Sequence, residues 1–220
     1  MCNRLCLSTG LAEIKHHFNV VEAPPLLVPH WNIAPGSPLP VVRIDIHSQR
    51  RRLDFARWGL IPSWAINPTV VRTTVSAGSL RLETLWRRCI IPVDNFYEWR
   101  LSDGKPFAIT LASGQLMPLA GIWHCWTARS GEQILCVAIL TMDASPQLRP
   151  VCREMPIILH SDDWSLWLGS EVSGNRSLSA VVADCSEPSL KLWPIHRRIR
   201  SRKNDGPFLL EEIDNSLGAA

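Results

Sequence analysis

The residue with the most distinctive chemistry in this chain is Cys2, directly after the initiator Met1. Removal of Met1 exposes an amine and a thiol on one carbon skeleton. An α-amine with a pKa of about 7.7–8.0 is substantially neutral near neutral pH. It can therefore condense with an aldehyde to a Schiff base, and the neighbouring thiol can add to the imine carbon to close a thiazolidine ring. A retained Met1 acylates that amine and leaves only the thiol. Taken alone, the position reads first as an incidental cysteine on a disordered chain end.

A second candidate is Glu98, set in Phe96-Tyr97-Glu98-Trp99. A carboxyl flanked by aromatics in a strand has its pKa raised by desolvation and can shuttle a proton near neutral pH. A plain carboxylate, paired with Arg81 or Arg4, is compatible with the same pattern. The chain holds 7 cysteines, an odd number with no Cys-x-x-Cys pair. A disulfide framework and a zinc site are therefore not expected, nor is any cofactor.

Around these residues the composition is that of one globular unit. The chain has 220 residues, of which 46% are hydrophobic and 20% charged, with net charge +3. It can bury a core and is too apolar for a disordered tail. It has no apolar run of membrane length, and its start lacks the long apolar segment of a secretory signal. A cytoplasmic monomer with no membrane partner is expected. Lysine occurs only at Lys15, Lys105, Lys191 and Lys203, and arginine supplies the other cations. Arginine favours bidentate phosphate contacts, and the 10 tryptophans include enough indole to stack on bases as well as fill a core.

Ser8-Thr9 predict a capped helix through Leu11, Ile14, Lys15 and Phe18, ended by Pro24-Pro25. Strands are predicted over Leu39 to Ile46, Leu53 to Trp58, Cys89 to Val93, Phe96 to Arg100, Phe107 to Thr110, Leu119 to Trp126, Gln133 to Met142 and Met155 to Leu159. The Trp58 to Trp64 stretch is broken by Gly59 and Pro62 and reads as an ordered loop. Short helices are predicted near Leu80 to Trp86 and from Asp162 through Leu168. The sum is an α+β fold, a single domain over residues 1–220, with a strongly curved antiparallel sheet or partial barrel and peripheral helices.

Eight segments occur in one order: Met1-Cys2-x-Arg4; Trp31-Asn32-Ile33-Ala34-Pro35-Gly36; Arg57-Trp58-Gly59-Leu60-Ile61-Pro62-Ser63-Trp64; Arg81-Leu82-Glu83-Thr84; Arg88-Cys89-Ile90-Ile91-Pro92; Phe96-Tyr97-Glu98-Trp99; Leu119-Ala120-Gly121-Ile122-Trp123; and Met155-Pro156-Ile157-Ile158-Leu159. Together they resemble the SOS response-associated peptidase (SRAP) family from Met1 to about Leu210. The resemblance implies a DNA damage response protein that binds single-stranded DNA and crosslinks abasic sites through a mature N-terminal Cys2. It implies Met1 removal by a thiol autopeptidase activity and a lyase-like covalent protein–DNA linkage. It also implies Glu98 as the active-site acid and Arg4 and Arg81 on the phosphates. Trp64 becomes a base-stacking platform, with a core tryptophan as the alternative, while Asn32 and Pro35 shape the DNA-side loop beside the terminus.

The departures from the family pattern are informative. Ser79 stands where the family has an asparagine, Cys152 where it has a histidine, Glu154 where it has an arginine and Asn3 where it has a glycine. A thiol near pKa 8.5 is a poorer proton shuttle than an imidazole at neutral pH, so a slowed reaction is expected. Two other readings stay open: a non-catalytic single-strand binder, and a cysteine-dependent peptidase using Cys2 or Cys152 with Glu98. The basic run Arg197-Arg198-Ile199-Arg200-Ser201-Arg202-Lys203 suits a phosphate track or a solvated loop.

Overall fold

The structure is a computed structural model and describes residues 3–69, 71–81, 87–169, 177–185 and 189–213. Met1, Cys2 and most of the expected Leu80 to Trp86 helix lie outside the described residues. No helix among the described residues is long and apolar enough to cross a membrane.

Five strands close into a barrel. β3 (Pro38–Ile44) pairs antiparallel with β4 (Arg51–Trp58) on one side and β6 (Arg88–Val93) on the other. β6 pairs with β9 (Met117–Thr127), β9 with β10 (Gln133–Asp143), and β10 returns to β4. Burial is nearly continuous through the middle of β3, β6, β9 and β10, so both faces of these strands pack inside the fold, and only β4 alternates between buried and half-buried positions. The last contact is parallel, as is that of β5 (Thr74–Ser76) with β10. The expected curved antiparallel sheet or partial barrel is thus observed as a closed barrel, antiparallel apart from these contacts of β10. Parallel partners are distant in sequence, so local turns do not announce them.

β10 outruns its barrel neighbours. Past β4, its edge is taken by β5, with Thr141 opposite Ser76. On the other edge it is taken by β11 (Glu154–Pro156), with Thr141 opposite Pro156 and Asp143 opposite Glu154. The barrel rim thus carries two short strands on either side of Thr141.

A second sheet has the order β12 (Leu190–Pro194), β8 (Pro106–Leu111), β7 (Asn95–Trp99), β1 (Arg4–Leu7), β2 (His30–Ile33). Its two faces have different neighbours. Leu5, Leu7, Phe96 and Ile109 join the barrel residues in the main core. Cys6, Tyr97 and Ala108 face the other way and pack with Ile195, Ile199 and Leu209 of the C-terminal segment.

Helix α1 (Leu11–His17) starts after Gly10 without a side-chain cap. The Ser8 and Thr9 hydroxyls instead donate to the Asp94 carboxylate, as do both backbone amides. A buried-edge carboxylate takes four donors that sequence reasoning assigns to a cap. Helices α2 (Trp164–Leu168) and α3 (Leu178–Asp184) pack on the barrel exterior. The Trp58–Trp64 stretch is a loop beyond the Gly59 backbone, and Trp58 is fully buried with Nε1 donating to Thr73 O at 3.0 Å.

Candidate functional site

Register explains where Glu98 sits. β1 pairs with β7 as Arg4–Tyr97, Leu5–Phe96 and Cys6–Asn95. Directly opposed residues of an antiparallel pair share a face. Leu5 and Phe96 face the barrel, so alternation sends Glu98 the same way and Arg4 and Tyr97 to the C-terminal segment. Continued by one residue, the register sets Asn3 against Glu98. Both line one cleft of about 410 Å³ with Trp99, Leu101, Cys152, Arg153 and Glu154.

Glu98 is 3% exposed. Burial pushes its carboxyl up to about 7, and the like charge of Glu154 adds to the rise. A group at that pKa holds or releases a proton at neutral pH with little penalty either way. Glu154 sits on β11, where its Oε2 accepts from the Thr141 hydroxyl at 3.3 Å.

Cys152 is buried beside Glu98. Burial, with the Glu98 charge behind it, pushes its thiol up to about 12. Reactive cysteines need a depressed pKa, so Cys152 is neither an activated nucleophile nor a proton relay at neutral pH. His160, eight residues on, is exposed. Its ring nitrogen lies 3.2 Å from Asp184 O, and it lines a different cleft with His17 and Trp164.

Ser79 ends a short 3-10 turn after β5 and is exposed, with its hydroxyl donating to Ser76 O at 2.7 Å. Because Ser76 and Pro156 flank Thr141 on opposite edges of β10, Ser79 and the Cys152–Glu154 segment share one end of that strand. Arg81 follows and is exposed.

Arg4 is half-buried on the other face of β1. It donates from Nη1 to Asn3 O at 2.8 Å and from Nη2 to Arg200 O at 3.4 Å. Burial and the nearby Arg202 charge lower its pKa.

Three other expected site residues are placed differently. Asn32 is buried on β2, and its Nδ2 donates to Ser201 O at 2.9 Å and Asn204 O at 2.8 Å. Its amide is committed to pinning the C-terminal loop. Pro35 is half-buried in the turn after β2, where Gly36 N donates to Trp58 O. Trp64 is 73% exposed, which removes it from the core. Its neighbour Ala65 accepts from Trp126 Nε1, and Trp126 pairs with Ile134. From Ile134 to Asp143 is nine residues of β10, roughly 30 Å of strand. The structure therefore joins Glu98 and Cys152 at one cleft, with Ser79 at the same end of β10, and leaves Trp64 at the opposite end.

Trp99, expected only as an aromatic flank of Glu98, also lines the cleft, and Leu101 and Thr141 complete it or its support without having been singled out in the sequence. Leu101, 61% exposed in a polar turn, carried the one local signal, a large apolar residue where a turn wants Gly or Ser.

The family model described as SOS response associated peptidase matches residues 1–202. The chain is 28% identical over 224 residues to the abasic site processing protein YoqW of Bacillus subtilis, covering 96% of this chain and 99% of that one. It is 26% identical over 226 residues to the abasic site processing protein HMCES of Gallus gallus, covering 84% of this chain and 67% of that one. A solved structure from Bacteroides thetaiotaomicron superposes with a TM-score of 0.78 at 19% identity, over 96% of this chain and 100% of that one, a likeness of fold.

Proposed function

Since the chain belongs to the SOS response-associated peptidase family, we propose that it processes abasic sites in DNA, capturing the lesion covalently through Cys2 after loss of Met1. The observation that carries this reading is a buried carboxyl at about 7 facing a cleft whose rim includes Asn3. A peptide bond joins Asn3 to residue 2, which limits the separation of their Cα atoms to about 3.8 Å.

The chemistry balances without a cofactor. Hydrolysis of the Met1–Cys2 peptide bond consumes one water and frees the α-amine. That amine adds to the C1′ aldehyde of the ring-opened sugar to give a carbinolamine. Glu98, protonated, donates to the departing hydroxyl, which leaves as water and forms the imine. The thiol sulfur then adds to the imine carbon. The carboxylate of Glu98 accepts the thiol proton while the nitrogen keeps its own, and the thiazolidine closes with Glu98 protonated again. A pKa near the working pH suits both transfers. Arg4 and Arg81 hold phosphates beside the lesion, Ser79 offers a hydroxyl at the cleft end of β10, and Trp64 presents an open indole face to a base farther along the strand.

The test is incubation with single-stranded DNA carrying one abasic site, followed by a denaturing gel and intact mass. A shifted covalent species from wild type and none from Cys2→Ala is expected. No species from wild type, or an equal amount from Cys2→Ala, refutes the reading.

A second reading, a single-strand binder without chemistry, is favoured by one observation: Cys152 is held protonated where the family pattern has a histidine. It predicts equal, salt-sensitive affinity for intact and abasic strands with no adduct. A peptidase using Cys152 as nucleophile is disfavoured by the same raised thiol.

A further inference from the structure

We propose that the turn over residues 197–203 is a second phosphate-binding surface, which holds the backbone of a single DNA strand outside the lesion cleft and without regard to the lesion. The proposal deepens the reading that this chain acts on DNA and rests on it for the identity of the polyanion.

The charge is concentrated. Arg197, Arg198, Arg200, Arg202 and Lys203 place five cations in seven residues of a chain whose net charge is only +3, so the remainder is net acidic. All five are exposed, while Ile199 between them is fully buried against the second sheet. Among the described residues none of the five forms an ion pair, although other arginines of this protein do. Arg43 meets Asp54 at 2.7 Å, Arg52 meets Asp45 and Asp54, and Arg100 meets Asp103. The acid nearest in sequence, Asp205, is engaged elsewhere, with His30 at 3.0 Å and Trp31 N at 2.6 Å.

The backbone beneath these charges is tied down. Asn32 Nδ2 bonds the carbonyls of Ser201 and Asn204. Asn204 Nδ2 donates to Arg198 O at 2.8 Å, and Arg198 N donates to His196 Nδ1 at 3.0 Å. A solvated loop has no need of a buried asparagine as its anchor. A backbone already fixed beneath these cations lowers the ordering cost of binding a polyanion.

Its position is also defined. Arg200 donates to Gly104 O at 2.9 Å in the 100–105 hairpin turn, whose Leu101 lines the lesion cleft. Arg4 reaches Arg200 O from the face of β1 opposite to Asn3. A strand lying on this turn has its phosphates on one face of the second sheet and can send one sugar around the start of β1 into the cleft.

The test compares wild type with R197Q/R198Q/R202Q and with a control of equal charge change, R50Q/R72Q/R129Q, whose side chains are exposed elsewhere. Binding of a labelled oligothymidylate without a lesion is followed by fluorescence anisotropy between 50 and 200 mM salt. Each lost contact removes about 0.7 from the slope of log K against log salt on single strands. The turn variant should lose about 2 in slope and more than about tenfold in affinity at 50 mM salt, and the control should lose little. An unchanged turn variant, or an equal loss in the control, overturns the proposal. Adduct formation on an abasic strand at saturating protein is measured alongside. Adduct from wild type with no binding loss in the turn variant defeats this proposal alone, whereas binding loss without any adduct defeats the lesion reading alone.

Discussion

Replacing Glu98 by glutamine keeps the side chain's shape and removes its ionisation. In the unfolded chain the carboxyl ionises near its ordinary 4.5, and in the folded protein near about 7. Between those values the native state holds one more proton than the unfolded state, so stability falls as pH rises. Below about pH 4 the ionisation penalty is absent, and above about pH 8 it is fully present. At about 1.4 kcal/mol per pH unit the displacement costs wild type about 3 kcal/mol in the alkaline limit. Glu98→Gln escapes that cost. Its amide hydrogens need acceptors, which adds an offset that is the same at every pH. The readout is therefore the change in the variant-minus-wild-type difference between pH 4 and pH 8, measured by urea unfolding. It should grow by about 3 kcal/mol in the variant's favour, equivalent to roughly 6–12 °C in Tm for a chain of this size. A difference that stays constant, or grows in favour of wild type, refutes a buried Glu98 ionising near neutrality.

Glu154→Gln removes the neighbouring like charge, so the pKa of Glu98 should fall, and the stability transition just described should move to lower pH; a shift upward contradicts the proximity of the two carboxyls. Cys152 should resist iodoacetamide at pH 7 in the folded protein while half-exposed Cys125 reacts, as mapped by peptide mass. Preferential labelling of Cys152 would mean that its thiol is not held protonated. Asn32→Ala leaves the carbonyls of Ser201 and Asn204 without their buried donor, at a cost of about 1–3 kcal/mol. Hydrogen exchange should quicken first in residues 198–205, and uniform acceleration across the chain argues against a local anchor.

Read alone, the chain already settles the strand-rich α+β class, because short apolar and β-branched runs bounded by turn residues mark β3, β4 and the β9–β10 hairpin. It marks Glu98 as a desolvated acid by its aromatic flanks, whereas Cys152 and Ser79 stand out only through the resemblance to the family, as departures from its pattern. What it leaves open are the meetings between distant segments. Nothing near Ser8 and Thr9 says that Asp94 will claim their hydroxyls. The Asn32 window does not say that its amide will serve carbonyls of residues 201 and 204, nor does the Trp64 loop say that it packs at the far end of β10. The parallel contacts of β10 with β4 and β5, and the two-faced start of β1 that sends Asn3 to the cleft and Arg4 to the basic turn, arise only when the barrel closes. A local window sets which residues must be buried and with what period. Which partner buries them depends on long-range packing and register, and here that register decides which charges meet Glu98 and which are left facing solvent.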